Sequence, residues 1–185
     1  MDSSKINENF EKWLETTDYV KRYKENEIIG KIFESSLTVH SKSCKFIEVD
    51  KEKINKYSGF LSEIISDNLS LYIKRENNSV SIIGKILFVK ELGGRIGYAH
   101  GAGIGYILNI SNSILIDNLD LNGYVLNYKK LQFLRKTNIF SLKLIVSELK
   151  YKDKHMFITI SKLIDYEDRP LSILEVEYKF INVKF

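Results

Sequence analysis

Gly93-Gly94-Arg95-Ile96-Gly97-Tyr98-Ala99-His100-Gly101-Ala102-Gly103-Ile104-Gly105-Tyr106-Ile107-Leu108-Asn109 is the stretch on which the reading of this chain turns. It holds six of the ten glycines and runs without a break into an apolar segment, Ile104 to Ile116, long enough for a helix buried by surrounding sheet. Residues without a Cβ let the backbone take left-handed conformations and approach a ligand closely. A helix whose first turn is built from them presents unpaired N–H groups and the positive end of its dipole. Such a place can hold an anion or polarise a carbonyl.

On either side of this stretch the apolar residues change period. Downstream of Asn68, Leu69, Leu71 and Ile73 alternate with Ser70, Tyr72 and Lys74, and Glu76-Asn77-Asn78-Ser79 supplies turn chemistry before a β-branched run from Val80 to Val89. This is a hairpin leading into the glycine turn. After the helix, Asp120-Leu121-Asn122-Gly123 breaks the chain, and strand patterns follow over Tyr124 to Leu134, Ile139 to Tyr151 and His155 to Asp165. Tyr166-Glu167-Asp168-Arg169-Pro170 reads as a turn holding the one proline, and Leu171 to Val183 as a last strand. Tyr106, Ile107, Leu108, Ile110, Ile114, Leu115 and Ile116 cover most of the helix circumference, so the sheet must enclose it. The fold class is therefore α+β: a curved antiparallel sheet wrapped around one central apolar helix.

Residues 1–68 read as an N-terminal helical extension and 69–185 as the main domain. From Asn7 to about Ile29, Phe10, Trp13, Leu14, Val20, Ile28 and Ile29 fall at spacings suited to one or two amphipathic helices. Leu37-Thr38-Val39 and Cys44 to Val49 read as short extended pieces. A helix follows, capped by Asp50 and ending near Asp67-Asn68, with Ile54, Tyr57, Phe60, Leu61, Ile64 and Ile65 on one face.

Composition narrows the function classes. With 185 residues the chain can bury one sizeable core, and no run of about eighteen apolar residues exists to span a membrane. The start lacks the basic and apolar regions of a signal peptide, and the single cysteine, Cys44, builds neither a disulfide framework nor a thiolate metal site, so a cytoplasmic location is expected. His40 and His155 have no partners at metal-ligand spacing. The net charge of +4 divides unevenly: residues 1–68 carry 11 basic and 13 acidic side chains, residues 69–185 carry 17 and 11. That surplus suits a phosphate-bearing ligand or a solvated lysine-rich surface. No dense Lys/Arg block marks a nucleic-acid patch, although tyrosines and phenylalanines interleaved with lysines leave a single-strand-binding module open.

Val89-Lys90-Glu91-Leu92, the glycine stretch with its His100-Gly101-Ala102 helix start, and then Tyr128-Lys129-Lys130-Leu131-Gln132-Phe133-Leu134-Arg135-Lys136 together resemble the hotdog-fold acyl-CoA thioesterases of the phenylacetate-degradation and 4-hydroxybenzoyl-CoA type. The resemblance covers about residues 69–183. It implies a homodimer or dimer of dimers with clefts between subunits, an acyl-CoA or acyl-ACP substrate, and a role in fatty acid metabolism. No separate cofactor is implied, coenzyme A or phosphopantetheine being part of the substrate. His100 and Gly101 match the helix-start pair whose amides face the thioester oxygen in the family, with Gly94, Tyr98 and Ala102 beside them as substrate-binding positions; Arg135 and Lys136 could meet coenzyme A phosphates. Ala102 replaces a second glycine of the pattern, and Gly94 stands where an asparagine is common.

Asn109 departs further. It occupies the place, nine residues after His100, of an aspartate that activates water or attacks the thioester; an amide orients water but cannot take its proton. Glu91 is the first candidate for a replacement base and Asp117 the second. The expected function is acyl thioester hydrolysis, with a dehydratase or hydratase acting on acyl thioesters, or a non-catalytic acyl-binding or assembly protein, as the alternatives.

Overall fold

From Leu69 onward each run with apolar residues at alternate positions is a strand of one antiparallel sheet. The computed structural model describes residues 19–38, 44–77, 79–94, 97–119 and 124–180. In chain order they form α1 (Tyr19–Thr38), β1 (Cys44–Glu48), α2 (Lys51–Ser58), a 3-10 turn (Gly59–Leu61), α3 (Ser62–Asn68), β2 (Leu69–Glu76), β3 (Ser79–Leu87), a second 3-10 turn (Lys90–Leu92), α4 (Gly101–Ile116), β4 (Tyr124–Phe133), β5 (Leu142–Lys152), β6 (Met156–Ile164) and β7 (Pro170–Phe180). The strand order is β1-β2-β3-β5-β6-β7-β4, every neighbouring pair antiparallel.

The sheet's inner face carries Leu71, Ile73, Ile82, Ile86, Ile145, Leu163, Leu174 and Val176, which pack with Ile104, Ile107, Leu108, Ile110, Ile114 and Leu115 of α4 into one core. Burying each such side chain contributes about 1.5–3 kcal/mol. The core is not wholly apolar. Ser111 of α4 meets the Ser147 hydroxyl at 2.7 Å, and Ser147 donates on to Ser161 at 2.6 Å; Thr159 donates to Asn112 at 2.6 Å, and Asn112 donates to Tyr178 at 3.2 Å. Each of these groups is paired, which offsets most of the cost of removing it from water.

The described residues before β2 contribute to the same core and sheet. β1 is an edge strand of the sheet, paired with β2. α2, begun by Asp50 accepting from the Lys53 N–H at 2.7 Å, stops at Gly59 (φ +49°), where a Cβ would lie 3.0 Å from the Tyr106 hydroxyl. The helix read from Asp50 to Asn68 is thus two helices joined by a 3-10 turn, because the close approach to α4 needs a residue in the left-handed region. α1 lies on the outer face: Phe33 meets Tyr72 edge-on at 5.6 Å, and Asn26 ties the chain at Phe140 and Leu142.

Several strand ends differ from the sequence reading by a residue or two, and a few boundaries by more. Residues 1–18, half of the expected amphipathic stretch, lie outside the described residues, as does Val39. Leu37 and Thr38 are not extended but close α1, in whose last turns the Ser35, Ser36 and Thr38 hydroxyls donate to carbonyls three residues back. β5 begins at Leu142 rather than Ile139, because Phe140 takes φ +55° while its N–H and that of Ile139 pair with Phe88 and Gly97. Pro170 is the first residue of β7, where its missing N–H removes no ladder bond. No helix among the described residues is long and apolar enough to cross a membrane.

Candidate functional site

The glycine stretch folds as a knot of backbone bonds in front of α4. Gly93 and Gly94 donate to the carbonyls of Lys90 (2.9 Å) and Tyr98 (2.7 Å), Ala99 donates to Thr137 (2.7 Å), and Ile139 donates to Gly97 (3.1 Å). Gly97 takes φ +72°, which a side chain would resist. The loop is thereby fixed between the end of β3 and the segment after β4.

His100 is the helix cap. Its extended backbone (φ −70°, ψ 135°) precedes the first turn, and its Nδ1 accepts from the Ala102 N–H at 3.1 Å. Its own N–H is committed to the Leu92 carbonyl at 2.9 Å. Of the His100-Gly101 pair, only Gly101 keeps an N–H that helical geometry leaves without an internal partner.

Gly101 lines a cleft of about 440 Å³ whose walls also include Tyr98, Phe133, Arg135, Lys136 and Thr137. Four of the ten residues singled out from the sequence, Tyr98, Gly101, Arg135 and Lys136, are thus brought together. The Lys136 ammonium lies 4.8 Å from the Tyr98 ring centroid, and the Arg135 guanidinium donates to the Pro170 carbonyl at 2.7 Å, an anchor provided by the β6–β7 turn. Below that turn the buried Asp165 accepts from the Glu167 and Arg169 N–H groups, each at 3.0 Å, and from Arg169 Nε at 2.9 Å. Burial pushes its carboxyl up, but the Arg169 guanidinium and the two amides outweigh this and hold it below the usual range.

The other candidates are spread out. Gly94 and Ala102 flank His100 without lining the cleft; Glu91 is exposed on the second 3-10 turn, also outside it. Asp117 ends α4 at the opposite end from Gly101, about 24 Å away. There it accepts from the Tyr57 hydroxyl at 2.5 Å, and burial together with this carboxylate raises the Tyr57 pKa to about 12. Asn109 lies two turns from Gly101, about 12 Å along the same helix.

Asn109 belongs to a ladder between α4 and β4 that the sequence reading missed. A Cβ on Gly101 would lie 3.0 Å from the Phe133 ring, and one on Gly105 2.7 Å from Leu131; at the next rung the Lys129 ammonium donates to the Asn109 side-chain oxygen at 2.7 Å. Four helix residues rise about 6 Å and two strand residues about 6.7 Å, so the steps stay in phase for three rungs. The signal was present: Gly101, Gly105 and Asn109 recur every four residues, Phe133, Leu131 and Lys129 every two. Thr137 was missed too; its hydroxyl oxygen is buried beside the cleft with no hydrogen-bond partner.

No protein-family model matches the sequence, and no curated protein does. Solved structures match in shape. Zebra fish thioesterase superfamily member 2 superposes with a TM-score of 0.57 at 10% identity, over 71% of this chain and 95% of that one. The E. coli PaaI protein of the phenylacetic acid degradation operon gives 0.54 at 9% identity over 71% and 96%, and a hypothetical thioesterase from Streptococcus pneumoniae, solved with coenzyme A, gives 0.52 at 13% identity over 62% and 87%. At such identities the likeness speaks for architecture alone: the chain has the hotdog fold seen in these proteins.

Proposed function

We propose that the protein binds and hydrolyses an acyl thioester, carried by coenzyme A or acyl carrier protein, at the amino end of α4. The observation that carries this reading is Gly101, the first residue of α4, lining a cleft together with Arg135 and Lys136. Charge that develops on the thioester oxygen as the carbonyl is attacked meets a fixed N–H and the positive end of a 16-residue helix. The two cations suit the phosphates of coenzyme A, and one structure of the same fold was solved with that molecule.

The reading includes a homodimer. Asn109, the candidate for positioning water, is too far from Gly101 of its own chain to share one reacting carbonyl. A second copy removes the difficulty if Asn109 of the partner subunit faces Gly101. β4 supports this: it is a sheet edge with an unpaired row of backbone groups, and Val125, Leu126, Tyr128 and Phe133 along it are exposed.

A second reading, an acyl-binding protein without turnover, draws on the Asn109–Lys129 contact, which puts an amide and an ammonium where hydrolysis needs a base. Thiol release followed across short, aromatic and long acyl-CoA esters separates the two. Hydrolysis above the uncatalysed rate is expected; tight binding at the uncatalysed rate establishes the binder instead.

A further inference from the structure

The sign of the charge beside Asn109 is unexpected for a site that activates water. Lys129 stands on the helix-facing side of β4, in line with Leu131 and Phe133, yet it is a cation, and α4 supplies an amide oxygen 2.7 Å from its ammonium. It pairs with no carboxylate among the described residues. The acids nearest in register, Glu175 and Glu177 of β7, alternate with the buried Val176 and so face the other side; Lys150 holds Glu175 at 3.0 Å, and Asn127 donates to Glu177 at 2.6 Å. A lysine placed only to keep a sheet edge from pairing needs no polar partner on the helix behind it. Here the amide fixes a long, mobile side chain and leaves two ammonium protons for a ligand.

We infer that Lys129, positioned by Asn109, selects acyl thioesters whose acyl group itself ends in a carboxylate. The inference rests on the thioester reading above and deepens it. Arg135 and Lys136 attend the cleft at the Gly101 end of α4, while in the dimer of that reading the partner subunit's Lys129 arrives there beside the partner's Asn109, which faces the thioester carbonyl, within reach of a short acyl chain, so the carrier phosphates and the acyl carboxylate meet separate cations.

The test uses the full chain and two thioesters of equal length, glutaryl-CoA and pentanoyl-CoA, with binding followed by calorimetry and turnover by thiol release. The wild type is expected to prefer glutaryl-CoA roughly tenfold, the size of one charge-assisted contact in a partly solvated site. Lys129→Met should bring the ratio close to one, Lys129→Glu should invert it, and Lys129→Arg should keep it, which a merely structural role of the strand would not produce. Equal use of both esters by the wild type, or a preference surviving in Lys129→Met, overturns the inference and leaves the thioester reading standing. Loss of free coenzyme A affinity in Lys129→Met as large as the loss for glutaryl-CoA also overturns it, since the ammonium then meets a phosphate. Binding of neither ester removes both.

Discussion

The same substitution, glycine to alanine, should have opposite effects at two places. At Gly84 of β3, directly across from Leu71 of β2, an added Cβ would lie 2.3 Å from Leu71 Cδ2 and 2.5 Å from the Ser70 carbonyl oxygen. The leucine tip could rotate, but the carbonyl belongs to the adjoining strand and moves only with it. Overpacking of this kind costs about 1–3 kcal/mol, more where backbone must shift, against a gain of about 0.5–1 kcal/mol from replacing a strand glycine. At Gly30 of α1 no heavy atom stands within 4 Å of the new Cβ, so only the helix gain of about 0.8–1 kcal/mol remains. With about 2–4 °C per kcal/mol in a chain of this size, Gly84→Ala should lower the Tm by several degrees and Gly30→Ala raise it by about 2–4 °C. Calorimetric melting of both variants at equal concentration measures the difference. A Gly84→Ala protein as stable as the wild type would refute the packing at the β2–β3 pair, and a destabilised Gly30→Ala would refute the open space beside α1.

Three further outcomes are expected. Asn109→Asp alone should raise thiol release no more than a few-fold, because Lys129 ion-pairs with the new carboxylate and lowers its basicity; adding Lys129→Met should raise it roughly a further tenfold, and no difference between the two would argue against the 2.7 Å contact. Asp165→Asn should cost about 1 kcal/mol, since the half-exposed Arg169 is screened by solvent. Because the Asp165 pKa is depressed on folding, its contribution is present above the unfolded value of about 3.9 and fades as pH falls through the folded value, so the variant's stability should fall less steeply below about pH 4; parallel acid unfolding curves would count against the Arg169 cage. Finally, replacing the exposed Leu126 by glutamate should shift the protein in sizing from twice the 21.5 kDa chain mass to that mass, whereas a wild type already at 21.5 kDa ends the dimer reading.

What the sequence disclosed depended on which interactions set each feature. The β2–β3 hairpin, α4 and the three last strands were legible because burial of one face imposes a period that side-chain chemistry repeats, and Asp50 and Gly101 mark helix starts by rules acting within a few residues. Leu37 and Thr38 were misread since their helix is held by packing on a distant sheet, against the weak local preference of its Ser and Thr residues. At the site, Tyr98, Gly101, Arg135 and Lys136 could be named but not assembled: their meeting rests on the Ala99–Thr137 and Ile139–Gly97 bonds, which join segments some 40 residues apart. The commitment of the His100 N–H to Leu92 was equally invisible, being a property of the loop's path rather than of the residue.

The phase match between α4 and β4 links the two halves of the site. Glycine at the first two rungs lets Phe133 and Leu131 sit directly against the helix; had the third rung been glycine and leucine as well, β4 would simply be packed. Instead the register puts an amide oxygen against an ammonium at a position where an apolar pair was available, on a strand with a free edge. Stability of the single chain gives a weak reason for that choice, since an exposed hydrogen bond contributes about 1 kcal/mol or less. On the proposed reading the ammonium meets an anion from outside the chain: Arg135 and Lys136, beside the cleft at the Gly101 end of the helix, would take a carrier's phosphates, and Lys129 would take the carboxylate that the acyl group brings with it.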